Sequence, residues 1–150
     1  MQSLSNATER LRKDVAPRLA RRASEMMDRE TLGKYSSIGV NENFSLEYGE
    51  DREKIGNVVT REIEYLSEGT KDLAYISLRL ALVEVLYTKA KPPILFDESF
   101  ARLDDSRLEN TLSLLKDISD EGNQMLIFTS QKRDAKIMAE VGSAEHILLE

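Results

Sequence analysis

The chain of 150 residues contains no cysteine, which excludes disulfides, thiolate nucleophiles and cysteine-ligated zinc. Its one histidine, His146, is too few for a histidine metal site, so any metal held here must be held through oxygen. Long hydrophobic runs are also absent. Residues 2–10 are polar, and Arg79 and Glu84 interrupt the most apolar window, 75–87, so neither a signal peptide nor a membrane span is predicted. A cytoplasmic location is expected, with association to the nucleoid left open. Prolines are few, at positions 17, 92 and 93, and no G-x-x-x-x-G-K-[ST] phosphate loop occurs anywhere.

Hydrophobic residues make up 41% of the chain, enough for one ordinary globular core, and no low-complexity tract divides it. The net charge of −6 argues against wrapping a polyanion over the whole surface, while Arg18, Arg21 and Arg22 leave room for a local basic patch.

Along residues 4–32 a charged helical pattern carries Leu11, Val15, Leu19, Ala23, Met26 and Met27 on one stripe, with Gly33 placed as its stop. Pro17 lies inside that stretch, and a helix start or a kink is expected there. Ile38, Val40, Phe44, Leu46 and Tyr48 share one parity around the polar Asn41, Glu42 and Asn43, the pattern of a two-stranded hairpin with one buried face. A polar link through Gly49 and Gly56 follows. Beyond it helices and strands alternate: a helix over 71–89, a short buried strand at 94–97 behind the two prolines, and an amphipathic helix over 104–121 ended by Gly122. A strand at 125–129, a helix over 133–141 and a last strand at 147–149 complete the pattern. Strands joined by crossover helices predict a parallel sheet.

Three short segments carry chemistry. In LSEGTKD, residues 66–72, Ser67 and Gly69 open a long helix whose exposed first turn presents N–H groups and the positive end of its dipole to an anion. Ser67 adds a hydroxyl, and Gly69 allows close backbone approach. The same two residues also suit a plain N-cap and turn. In ILFDESFARLDD, residues 94–105, Asp97 and Glu98 stand at the carboxyl end of a buried strand, the edge where open α/β sheets place ligands. One carboxylate can hold a hydrated Mg²⁺ while the other polarises an attacking water, the division of labour that phosphoryl transfer requires. Asp104 returns a further acid to that edge, or serves only to cap the next helix. In MLIFTSQ, residues 125–131, another buried strand ends in Thr129, Ser130 and Gln131, which either sense a phosphate or cap a helix.

In this order and spacing, LSEGTKD, DLAYISLRLALVEVL, ILFDESFARLDD and MLIFTSQ together resemble the C-terminal lobe of an ABC-type ATPase head. The group includes structural maintenance of chromosomes (SMC) proteins, double-strand-break-repair ATPases and YhaN-like ATPases with long coiled coils. The resemblance implies an α/β fold, the C-terminal half of a P-loop NTPase head, with mainly parallel strands, crossover helices, an N-terminal coiled-coil stub helix and a β-hairpin. Residues 1–33 would be the end of a coiled-coil arm and residues 34–150 the ATPase lobe.

On the same resemblance, Leu66, Ser67, Gly69, Thr70 and Lys71 belong to the signature motif that contacts ATP bound to the opposing subunit. Asp97 holds Mg²⁺ through water, Glu98 is the general base, and Leu103 and Asp104 form the D-loop that communicates across the dimer. Gln131 takes the switch position. The cofactors implied are ATP and Mg²⁺. The implied partners are an N-terminal phosphate-loop lobe on the same or another chain, a second head joined through ATP, DNA, and in some members a nuclease subunit; no membrane is implied. Two positions depart from the pattern. Glu68 stands where the signature has glycine, placing an acid near a phosphate, and Gln131 replaces a histidine, so it can donate a hydrogen bond but cannot take up a proton.

The expected function is therefore the C-terminal half of a DNA-repair or chromosome-maintenance ATPase, inactive without its phosphate-loop lobe. That missing loop and the stub-like first helix favour a segment cut from a longer protein. Two alternatives stand beside it: a non-catalytic dimerisation or arm-joining module, and a Mg²⁺-dependent nuclease or phosphatase using Asp97, Glu98, Asp104 and Asp105.

Overall fold

A computed structural model describes residues 11–40, 46–51, 58–141 and 144–148. The chain divides into two compact units, Met1–Ala90 and Lys91–Glu150, where the sequence composition alone predicts one core. Each unit has its own helices and its own sheet.

The first unit begins with a π-helical turn, Leu11–Val15, and continues as the α-helix α1, Ala16–Glu30. Pro17 sits in the first turn of α1, where a missing N–H costs nothing, so the start expected at that proline is observed. Ala23, Met26, Met27 and Glu30 form its buried stripe at the helical spacing. The helix ends in a Schellman-type turn, with the Gly33 N–H donating to the Asp28 carbonyl at 2.8 Å. In that turn Leu32 (φ 52°) as well as Gly33 (φ 81°) adopts left-handed backbone.

The hairpin is present, but it belongs to a three-stranded antiparallel sheet: β1, Tyr35–Val40; β2, Leu46–Asp51; and β3, Val58–Glu62. Ile38 faces Tyr48 and Val40 faces Leu46, as the shared parity requires. A bulge between Tyr35 and Ser37 shifts the register, which brings Tyr35 to the buried face, edge-on to Tyr48 with ring centroids 5.5 Å apart. Gly49 lies within β2 rather than in a link, and the β-branched Val58, Val59 and Thr60 build the third strand that the polar surroundings concealed. Phe44 and Gly56 lie outside the described residues.

From Ser67 the chain enters α2, Glu68–Leu86, which is packed against α1. Glu30 of α1 is fully buried, and its Oε2 accepts a hydrogen bond from Ser77 Oγ at 2.5 Å. Arg22 forks onto Glu84, with Nη2 to Oε1 at 3.1 Å, and this carboxylate holds the guanidinium more firmly protonated than usual. The Ser24 hydroxyl accepts the Ile38 N–H at 2.9 Å, fastening α1 to β1.

The second unit holds the parallel pair β4, Ile94–Asp97, and β5, Met125–Phe128, in register from Ile94 opposite Met125 to Asp97 opposite Phe128. They are connected through α3, Asp105–Asp120, whose Leu108, Leu112, Leu115 and Ile118 are buried. Gly122, at φ 107°, reverses the chain after α3. The helix α4, Lys132–Val141, follows and packs on α3. Of the strand expected at 147–149, Ile147 and Leu148 are exposed and in no strand, and Leu149 lies outside the described residues. Among the described residues no strand pairs with Ile147 or Leu148 to take up their backbone groups, so apolarity alone does not make a strand.

Candidate functional site

The site residues fall in both units: Leu66, Ser67, Gly69, Thr70 and Lys71 in the first, and Asp97, Glu98, Leu103, Asp104 and Gln131 in the second. Ser67 is the N-cap of α2. Its Oγ lies 3.4 Å from the Thr70 N–H and 2.8 Å from Thr70 Oγ1. Gly69 and Thr70 are buried beneath this turn while Ser67 and Glu68 are exposed. A hydroxyl has one proton and two lone pairs, so Ser67 can accept from Thr70 and still donate outward. The Glu68 carboxylate is turned along the helix to Lys71, with Oε1 2.8 Å from Nζ. Its charge is thus partly offset within the first turn.

In the second unit β4 ends at Asp97, whose carboxylate is exposed, and Glu98 lies one residue beyond the strand. The alternation of faces expected for two strand residues therefore does not set the direction of Glu98. Its backbone instead adopts φ 45°, a left-handed conformation that costs a non-glycine residue about 1–2 kcal/mol. The Glu98 N–H still donates to the Phe128 carbonyl at 2.9 Å, so the bend occurs after the last ladder bond. It carries the carboxylate to the loop after β5, where Oε1 accepts the Ser130 N–H at 2.7 Å and Oε2 lies 3.4 Å from Thr129 Oγ1. The Ser130 hydroxyl, then its N–H, then the Thr129 hydroxyl hold the Glu98 carboxyl below the usual glutamate range.

Gln131 precedes α4, where its carbonyl accepts the Asp134 N–H at 3.1 Å. The residues that meet Glu98 are its neighbours Thr129 and Ser130. Leu103 is buried and its N–H closes a turn onto the Phe100 carbonyl at 3.0 Å. Phe100 itself is buried against Phe96, with ring centroids 5.4 Å apart. Asp104 is exposed and caps α3, accepting the Arg107 N–H at 3.0 Å.

Two contributors escape the motif reading. Asp134 is fully buried and accepts the Thr129 hydroxyl at 2.9 Å, and Arg133 joins Asp134 to the carbonyls of Phe100 and Leu103. One signal was available in the sequence: Asp134 shares the inward stripe of α4 with Ile137, an acid where an apolar residue is usual. Among the described residues no group of three or more His, Asp or Glu side chains is gathered about one point where a metal ion could sit. The carboxylate of Asp97 at a strand's carboxyl end does suit a Mg²⁺ held chiefly by phosphate and water.

No protein-family model matches the chain. It is 34% identical over 128 residues to YhaN of Bacillus subtilis strain 168, a match covering 85% of this chain and 13% of that protein. Among solved structures, one described under ATP-driven dimerization and DNA-stimulated activation of SMC ATPases overlays with a TM-score of 0.64 at 23% identity, covering 88% of this chain and 75% of the other. The Smc head domain of Pyrococcus yayanosii, with a coiled coil and joint, gives 0.66 at 20% identity over 94% of this chain and 26% of that one. That of Pyrococcus furiosus, bound to the C-terminal domain of ScpA, gives 0.60 at 22% identity over 84% and 30%. The chain thus has the fold of part of an SMC ATPase head and spans about an eighth of the curated relative it matches.

Proposed function

We propose that the chain is the C-terminal lobe of an SMC-like ATPase head, the part that supplies the hydrolytic carboxylates to one nucleotide and the signature turn to another. The observation that carries this reading is the convergence of Glu98, the Thr129–Ser130 loop and the 100–105 loop at the carboxyl end of the parallel pair. Such an edge is where open α/β sheets receive a ligand.

Bound with ATP, Mg²⁺ would neutralise charge that develops on the phosphates. Asp97, exposed at the end of β4, would hold it through water. Glu98 takes the proton of the attacking water, and the Ser130 N–H orients the carboxylate that receives it. Ser67 donates outward from the first turn of α2 to a phosphate on the facing head, assisted by the backbone at Gly69 and with Lys71 as counter-charge to Glu68. Gln131 contributes a hydrogen bond at most.

The need for a second lobe is supported by the parallel pair itself. Leu95, Leu126 and Phe128 on one face are 61%, 37% and 44% exposed, whereas parallel sheets are ordinarily covered on both sides. An N-terminal phosphate-loop lobe would cover that face and extend the sheet. DNA, a second head joined through ATP and a cytoplasmic setting follow from the same reading. Residues 1–33 would end a coiled-coil arm, and residues 34–150 would form the lobe.

The test is ATP turnover by the complete head. Glu98→Gln lowers it by about 10²-fold or more, while retaining an ATP-dependent dimer by light scattering that Ser67→Arg abolishes. Turnover at the wild-type rate in Glu98→Gln would overturn the reading. Gln131 motivates a second reading, a non-catalytic dimerisation module; ATP-dependent mass without hydrolysis in the wild-type head would select it.

A further inference from the structure

The contacts around Arg133 extend beyond the residues assigned so far. Its Nη1 donates to the Leu103 carbonyl at 2.9 Å and lies 3.5 Å from Asp105 Oδ1, while Nη2 donates to the Phe100 carbonyl at 3.3 Å. Nε and Nη2 both reach Asp134 Oδ1 at 3.3 Å. One guanidinium therefore spans both ends of the turn at 100–103 and the first residue of α3. A planar fork with five donors can do this, and a lysine ammonium cannot.

The arginine is itself held in place. Asp134 is buried, with its side chain 1% exposed, and a buried carboxylate requires its cation to stay. The other Asp134 oxygen accepts the Thr129 hydroxyl at 2.9 Å, and that hydroxyl accepts the Gln131 N–H at 3.1 Å. Thr129 Oγ1 also lies 3.4 Å from Glu98 Oε2. Because a threonine has one proton, Asp134 and Glu98 compete for it, and Asp134, at the shorter distance, holds it here.

Resting on the function proposed above, we infer that Arg133 is a positioning residue: with Asp134 it sets the 100–105 loop, and through Thr129 it ties that loop to the Glu98 carboxylate. A displacement of the loop toward or away from a facing head changes the pull on Asp134. That pull decides whether the Thr129 hydroxyl keeps donating to Asp134 or turns to donate to Glu98. The base is thereby informed of what the loop touches.

Arg133→Gln and Arg133→Lys in the complete head test the proposal, with unchanged far-UV circular dichroism as the criterion of folding. Hydrogen exchange of residues 100–105 is expected to speed up at least tenfold in Arg133→Gln, without nucleotide present. ATP turnover is expected to fall about tenfold at unchanged affinity of the single head for nucleotide, and Arg133→Lys, which keeps the charge but not the fork, recovers only part of it. Unchanged exchange at 100–105 overturns the proposal whether or not the head hydrolyses ATP. So does a kcat within twofold of wild type, or full recovery by Arg133→Lys. A wild-type head without turnover, but with faster loop exchange in Arg133→Gln, counts against the ATPase reading and supports the clamp.

Discussion

The backbone N–H of Ser130 donates to the Glu98 carboxylate at 2.7 Å, across from the end of one strand to the loop after its neighbour. A carboxylate held this way has a fixed direction and gives up some basicity, because the hydrogen bonds favour its charged form.

Titration of the Glu98 carboxyl in this chain, followed by side-chain carbonyl NMR, should therefore give a midpoint below the usual glutamate range. Ser130→Ala removes the hydroxyl and should move it upward. A folded-state value lowered in this way adds stability that is present above the unfolded value and disappears as pH falls through the folded one. The acid limb of the stability curve should accordingly weaken in Ser130→Ala, and an unmoved midpoint would contradict the contact.

Ser67→Ala removes the cap of α2. Loss of an N-cap costs about 1 kcal/mol, to be read as a lower Tm or denaturant midpoint, with Ser67→Thr close to wild type. Equal stability of the alanine variant would show that the Thr70 contact is not formed.

Leu32 is left-handed and 75% exposed at the end of α1. Glycine there relieves a cost of about 1–2 kcal/mol, against about 0.5–1 kcal/mol of added chain freedom in the unfolded state. Leu32→Gly should therefore leave stability unchanged or raise it, an unusual outcome for removal of a leucine, and a clear loss in thermal melts would place Leu32 in some other backbone.

Ser77→Ala withdraws a donor from the buried Glu30 carboxylate. Hydrogen bonds to charged groups contribute about 1.5–3 kcal/mol, so the variant should melt well below wild type at neutral pH.

Local signals in the sequence were sufficient where one residue fixes one turn. Pro17 and Gly33 bracket α1, Ser67 opens α2, and Asp104 and Gly122 enclose α3. Each acts on its own backbone, so no distant partner is required. Pairing is another matter. Val58–Glu62 becomes a strand because β2 lies beside it, while the apolar Ile147 and Leu148 pair with no described strand and form none. Similarly, Asp97, Glu98 and the Thr129–Gln131 loop were legible as strand ends. The Arg133 clamp was not, since its acceptors are the carbonyls of Phe100 and Leu103, which carry no mark in the residue types.

Glu30 with Ser77 and Arg22 with Glu84 connect α1 and α2 at two separate points. A single pin lets two rods pivot about each other; two pins make them one crank. Rotation of α1 against α2 would have to break one of these two contacts.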